Sequence, residues 1–139
     1  MWLIVGLGNP GSEYSRTRHN IGAIVIEHWA TAENDKLSRD KKSQALTATI
    51  KLGDDRAVLA FPQTFMNQSG AAVKALMNFY KIDADHLIVL HDELDIPFAT
   101  TRMKLGGGDN GHNGLRSIRS AIGHGDWFRI RLGIGRPPG

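Results

Sequence analysis

Few side chains in this sequence can do covalent chemistry, and their types narrow what that chemistry is. There is no cysteine, which removes a thiol nucleophile, a zinc–thiolate site and a disulfide framework. The remaining reactive groups fall at the ends of apolar runs. Asn9 follows the first run, and His19-Asn20 precedes an amphipathic stretch. Asn67 lies in Phe65-Met66-Asn67, His91-Asp92-Glu93 closes a further run, and His112-Asn113 follows a glycine loop. Histidine is the side chain suited to act as a base near neutral pH. A carboxylate at a strand end can fix its tautomer and stabilise its imidazolium, and Asp92 is the best-placed partner for His19. Asparagine amides donate hydrogen bonds without charge, which suits an oxyanion or a peptide main chain. Asn9, Asn67 and Asn113 with a His19–Asp92 pair point to acyl-transfer hydrolysis of a substrate read by its backbone. Water or a hydroxyl is then the nucleophile.

Each of these residues also has an ordinary structural reading. Asn67 and Asn113 stand where helix N-caps stand. Asn9 before Pro10 is a usual turn residue, and Met66 is a usual packing residue. The set works together only if loops at one end of a sheet converge. His91, Asp92, Glu93, Asp95 and His112 are metal-ligand types, but strand neighbours point to opposite faces and no H-E-x-x-H spacing occurs. No metal site is expected. Gly6-Leu7-Gly8-Asn9-Pro10-Gly11 fits G-x-G-x-x-G. A dinucleotide site needs a helix to open within that loop. Here polar residues run on to Ile21, so the stretch reads as a tight loop presenting Asn9.

The charge is uneven. Residues 1–97 hold 10 Lys/Arg and 12 Asp/Glu, a net of −2, and residues 98–139 hold 7 and 2, a net of +5. Arg102 and Lys104 alternate on one strand, Arg129 and Arg131 on another, and Arg116 and Arg119 share a helix face. Such stripes suit phosphate contacts without base readout, and a polyanion is the expected partner.

The elements that must position these groups follow from periodicity. Strands are expected at Trp2–Leu7, Ala45–Leu52, Arg56–Phe61, Leu87–His91, Thr101–Leu105 and Phe128–Ile134. Helices are expected from Ile21 to Ala32, from Val73 to Tyr80 and from Leu115 to Ile122, with Asn20 as the cap of the first. Glu33–Ser43 reads as a charged loop, as does Gly106–Gly108 without the charge. The order is β-α-β-β-α-β-β-α-β. At 139 residues and 41 % hydrophobic, this is one α/β domain over residues 1–139, a mixed twisted sheet flanked by helices. No apolar run approaches the roughly 20 residues that span a bilayer, and no signal peptide is visible. A cytoplasmic protein is expected.

Taken together the motifs closely resemble the bacterial peptidyl-tRNA hydrolase family. The stretches are Gly6–Gly11 with Tyr14 and Thr17–Asn20, Phe65–Gly70, His91–Asp95, Lys104–Gly108, Gly111–Leu115 and Arg131–Gly135, in the family's order over nearly the whole chain. The resemblance implies a phosphorylase/hydrolase-like fold and a monomer. The implied esterase cleaves peptide from the 3′ ribose of tRNA without metal or cofactor. It makes His19 the general base, Asp92 its orienting partner, and Asn9 a group that separates blocked from free aminoacyl ends. Tyr14, Phe65, Asn67, His112 and Asn113 would line the tRNA-end and peptide pocket, with Met66 packed beside them. Lys104 and Arg131 would clamp a tRNA phosphate. Family members continue past Gly133-Ile134-Gly135 into a lid and a C-terminal helix, so a C-terminally truncated chain ending in a loop at Arg136–Gly139 is expected. A non-catalytic RNA-binding relative of the same fold is the alternative, and the intact His19, Asp92, Asn9 and Asn67 speak against it.

Overall fold

Three consecutive residues, Leu3, Ile4 and Val5, are buried, which only a strand covered on both faces permits. That strand, β1 (Trp2–Gly6), is central to the computed structural model, which describes residues 1–40 and 43–136. The others are β2 (Ser38–Asp40), β3 (Ala45–Leu52), β4 (Asp55–Pro62), β5 (Leu87–Glu93), β6 (Thr101–Leu105) and β7 (Phe128–Gly133). They form one mixed sheet in the order β2-β3-β4-β1-β5-β7-β6. The four inner strands β4, β1, β5 and β7 run parallel, and the outer pairings are antiparallel. All four inner strands therefore end on one side, where open α/β sheets bind ligands.

Helix α1 (Ile21–Ala32) covers one face, where Ile26 and Ala30 meet Ile4, Leu59 and Leu90. Helices α2 (Ser69–Tyr80) and α3 (Asn113–Ile122) cover the other, where Val73, Leu76, Leu115 and Ile118 meet Leu3, Val5, Val58 and Val89. Trp127 completes this second core. Helix α1 lies so close to β1 that a Cβ on Gly6 would run into the Gly22 carbonyl. The first glycine of the G-x-G-x-x-G stretch thus serves helix–strand packing, and no helix opens within the loop. The chain instead passes through turns to a short 3-10 segment at Arg18–Asn20.

The expected elements are all present, with differences that have physical causes. The stretch read as a charged loop contains β2, whose Ser38, Arg39 and Asp40 carry no apolar pattern and gain strand form from pairing with Ala45–Thr47. Lys41 and Lys42 of that stretch, and residues 137–139 of the expected terminal loop, lie outside the described residues. None of the three asparagines read as caps caps with its side chain. Asn20 and Asn67 follow or sit in 3-10 turns without a side-chain cap bond. The cap of α3 is His112, whose Nδ1 accepts from the backbone N–H groups of Gly114 and Leu115 at 3.0 and 3.3 Å. No described helix is long and apolar enough to cross a membrane.

Candidate active site

The loops leaving β1, β4 and β5 do converge. An open cleft of about 330 Å³ is lined by Asn9, His19, Met66, Asp92, Leu94, His112 and Asn113, among others. At its floor Asp92, the penultimate residue of β5, is 8 % exposed and divides its two oxygens between two imidazoles. His19 Nδ1 donates to Oδ2 at 2.7 Å, and His112 Nε2 donates to Oδ1 at 2.7 Å.

Those bonds set both tautomers. The His112 Nδ1 accepts two backbone N–H groups and so carries a lone pair, which places its proton on Nε2, facing Asp92. His112 thus caps α3 and donates to the Asp92 carboxylate while also lining the cleft. On His19 the proton sits on Nδ1 because the ionised Asp92 carboxylate it meets can only accept, which leaves the lone pair on Nε2. The His19 side chain is 65 % exposed, and its Nε2 makes no bond to a described residue. Burial pushes the Asp92 carboxyl up, but the hydrogen bonds from His112 and then His19 outweigh this and hold it below the usual carboxylate value. A lasting negative charge thus stands behind the exposed imidazole. The turn that carries His19 is itself pinned, since Arg18 Nη1 donates to the Ile134 carbonyl at 3.1 Å.

Asn9 faces this pair from the loop after β1. Its Oδ1 accepts the Met66 N–H at 2.7 Å, which ties the β1 loop to the β4 loop and leaves Nδ2 as the unused end. Asn113 lines the cleft with an exposed side chain at the start of α3. Phe65, 57 % exposed, and Asn67 flank Met66 on the turn before α2 and do not line the cleft. Tyr14 does not line it either, and its carbonyl accepts from the Thr17 N–H and hydroxyl in the loop before His19.

Lys104 and Arg131 meet in a smaller adjoining pocket with His91, Asp109 and the glycine loop. Glu93 and Asn110 border both pockets. Glu93 Oε1 accepts from Arg131 at 2.6 Å and from Asn110 Nδ2 at 3.2 Å, so one carboxylate links the imidazole floor to the cationic side. Arg129 does not belong with the phosphate-facing cations. It is 2 % exposed, donates to the Gly108 and Gly125 carbonyls at 2.7 and 3.1 Å, and lies 4.0 Å over the Trp127 ring. Its alternation with Arg131 placed it on the right face, but that face is buried at Arg129. Sequence reasoning named Glu93 and Asn20 among the converging polar residues without giving either a catalytic role, and it did not name Asn110. Glu93 adjoins Asp92 in sequence, whereas nothing local marks Asn110.

A buried carboxylate, an exposed imidazole held by it, and amides across a cleft form an apparatus for activating water against an acyl carbon. The chain is 55 % identical over 138 residues to a peptidyl-tRNA hydrolase of Frankia alni, an alignment covering 99 % of this chain and 70 % of that one. It is 51 % identical over 137 residues to one of Mycobacteroides abscessus, again 99 % and 70 %. The crystal structure of peptidyl-tRNA hydrolase from Acinetobacter baumannii superposes with a TM-score of 0.93 at 41 % identity, covering all of this chain and 70 % of that one. The sequence model of that family matches residues 3–139, and with the fold in agreement the chain belongs to the peptidyl-tRNA hydrolase family.

Proposed function

We propose that this chain hydrolyses the ester between a peptide, or an N-blocked amino acid, and the 3′ ribose of tRNA. The observation that carries the reading is His19, with Nδ1 bonded to an ionised Asp92 and an unbonded Nε2 at the cleft. Nε2 takes a proton from water as the water oxygen attacks the ester carbonyl carbon. Asp92 steadies the imidazolium that forms. The tetrahedral intermediate then collapses, the ribose oxygen leaves, and Nε2 returns the proton to it. The products are a peptide acid and a free tRNA hydroxyl, so nothing but water is consumed.

Donor amides fit the rest of the task. Asn9 Nδ2 and Asn113 are assigned to the oxyanion and the peptide main chain, groups that every peptide presents. Asn67, Phe65 and Tyr14 are assigned to the tRNA end as it reaches the cleft, with Met66 packed against the peptide. Lys104 and Arg131 are assigned to a tRNA phosphate, a contact indifferent to sequence. His112 acts in this scheme through Asp92. The reading places a monomer in the cytoplasm, acting without a metal.

The test is release of N-acetyl amino acid from N-acetyl-aminoacyl-tRNA, with free aminoacyl-tRNA and His19→Ala as controls and a chelator in a parallel arm. Selective cleavage that needs His19 and survives the chelator is expected. Binding of tRNA without cleavage would favour the RNA-binding alternative, and loss of cleavage with the chelator would favour a metal enzyme.

A further inference from the structure

Asn20 stands at the start of α1, the position where an asparagine ordinarily caps a helix. Its side chain makes no cap bond, and its backbone (φ −98°, ψ 12°) continues the preceding turn. The α1 amide of Ala23 is satisfied elsewhere, by the Leu7 carbonyl at 3.2 Å. The Asn20 amide is turned toward Asn9. Oδ1 accepts the Asn9 N–H at 2.9 Å, and Nδ2 donates to the Asn9 carbonyl at 2.8 Å. One side chain thus consumes both main-chain polar groups of Asn9, as a ladder rung would. Asn20 is 3 % exposed. The fit depends on Gly8, where a Cβ would stand 2.8 Å from Asn20 Cγ.

The consequence is how Asn9 is held. Its N–H and carbonyl are fixed by Asn20 and its Oδ1 by the Met66 N–H, leaving the two Nδ2 donors for the cleft. Asn20 also follows His19 directly in the same short turn. The turn therefore bolts His19 to Asp92 with one residue and Asn9 to itself with the next.

We propose that Asn20 is a positioning residue that sets the Asn9 amide relative to the His19 imidazole. The inference rests on the hydrolase reading, in which Asn9 contacts the substrate. Misplacing a donor by about 1 Å costs on the order of 100-fold in rate, so a residue that fixes Asn9 without touching substrate governs turnover and selectivity.

The experiment is a double-mutant cycle with Asn9→Ala, Asn20→Ala and the pair, measured on N-acetyl-aminoacyl-tRNA and on free aminoacyl-tRNA. Asn20→Ala is expected to lower kcat/KM by roughly 10- to 100-fold and to erode the preference for the blocked substrate. The double variant is expected to be no slower than Asn9→Ala. Multiplying losses or an intact preference would each overturn the proposal. Asn20→Asp is the second variant: it keeps the acceptor for the Asn9 N–H and sets an oxygen against the Asn9 carbonyl, so it is expected to fail as Asn20→Ala does, and full activity would overturn the proposal. Hydrogen exchange of the Asn9 amide needs no variant. Slow exchange is expected in the unsubstituted protein, and exchange at the rate of an open loop would overturn the proposal even if every variant failed to fold. An inactive unsubstituted protein with a protected Asn9 amide would instead count against the hydrolase reading.

Discussion

At the end of β5, Asp92 gives one oxygen to each of two imidazoles, and His19 keeps an unbonded Nε2 at the cleft. On the adjacent strand β7, Arg129 turns its guanidinium inward onto two carbonyls and an indole ring. Asp92 and Arg129 lie on central strands and His19 on the turn before α1, and all three looked functional from their spacing. They differ in where their bonding capacity is spent. His19 uses one nitrogen for position and leaves the other without a bond to a described residue. Arg129 uses its planar fork to hold Gly108 and Gly125, the loops beside the cationic pocket. Lys104 is exposed, and Arg131 lies between the two cases, paired to Glu93 yet still part of the pocket wall. What separates His19 from Arg129 is where the spare atom lies: His19 Nε2 is at the open cleft, whereas Arg129 Nε, also without a partner among the described residues, is buried.

The contrast is broken most directly at its reactive end. His19→Ala is expected to lower kcat by roughly 10²- to 10⁴-fold, the usual worth of a positioned base, with tRNA affinity nearly unchanged. Asp92→Asn is expected to fall in the same range, because an amide can present its N–H to an imidazole and favour the wrong tautomer. Single-turnover kinetics beside a filter-binding isotherm separates chemistry from affinity. Weakened binding with normal turnover in either variant would remove His19 from the role of base.

Arg129 should answer in a different currency. Arg129→Met keeps much of the volume but leaves two carbonyls without their charged donors. A cost of about 2–3 kcal/mol in folding stability is expected, read as a lowered urea midpoint. Per folded molecule, the salt dependence of tRNA binding should not change. A lost phosphate contact with unchanged stability would return Arg129 to the phosphate-facing set.

Lys104→Ala and Arg131→Ala sharpen the same line from the other side. Each is expected to weaken binding of all tRNAs alike and to reduce the slope of log K against log salt by about one. Arg131→Ala carries an added penalty, since Glu93, 7 % exposed, would lose its ion pair and keep, among the described residues, the side-chain hydrogen bond from Asn110. An effect confined to one tRNA would contradict a phosphate contact.

The sequence made the inner strands legible because Leu3–Val5, Ala57–Phe61 and Leu87–Leu90 are apolar runs that only buried strands sustain. It made His19 and Asp92 legible because a base and a carboxylate at loop and strand ends have few other uses together. It concealed β2, where Ser38-Arg39-Asp40 has no apolar face and pairing alone makes the strand. It also misled at the asparagines. An asparagine before a helix has a local use as a cap, and periodicity cannot tell that use from a bond to residues 11 positions away, as between Asn20 and Asn9. Arg129 was misread for a related reason. Alternation reports the face of a strand, and only packing reports whether that face meets solvent.

His91 gives the smallest contrast with His19, and it is tested by pH. It neighbours Asp92 in sequence but is 2 % exposed, and its Nδ1 donates to the Asp92 carbonyl at 2.8 Å. Burial lowers its pKa from 6.5 to about 4. The unfolded chain therefore binds a proton on this residue below about pH 6.5, while the folded chain refuses it until about pH 4. Above the higher value neither state is protonated, and His91 has no effect on the slope. As pH falls through that window the unfolded state gains and stability drops, by about 2–3 kcal/mol at pH 4.5. His91→Gln keeps a donor for the Asp92 carbonyl and cannot titrate. Urea midpoints at pH 7 and pH 4.5 should fall further for the unsubstituted protein than for this variant. Equal falls would mean that His91 accepts a proton in the folded state as readily as an exposed histidine does, and its burial would then not separate it from His19.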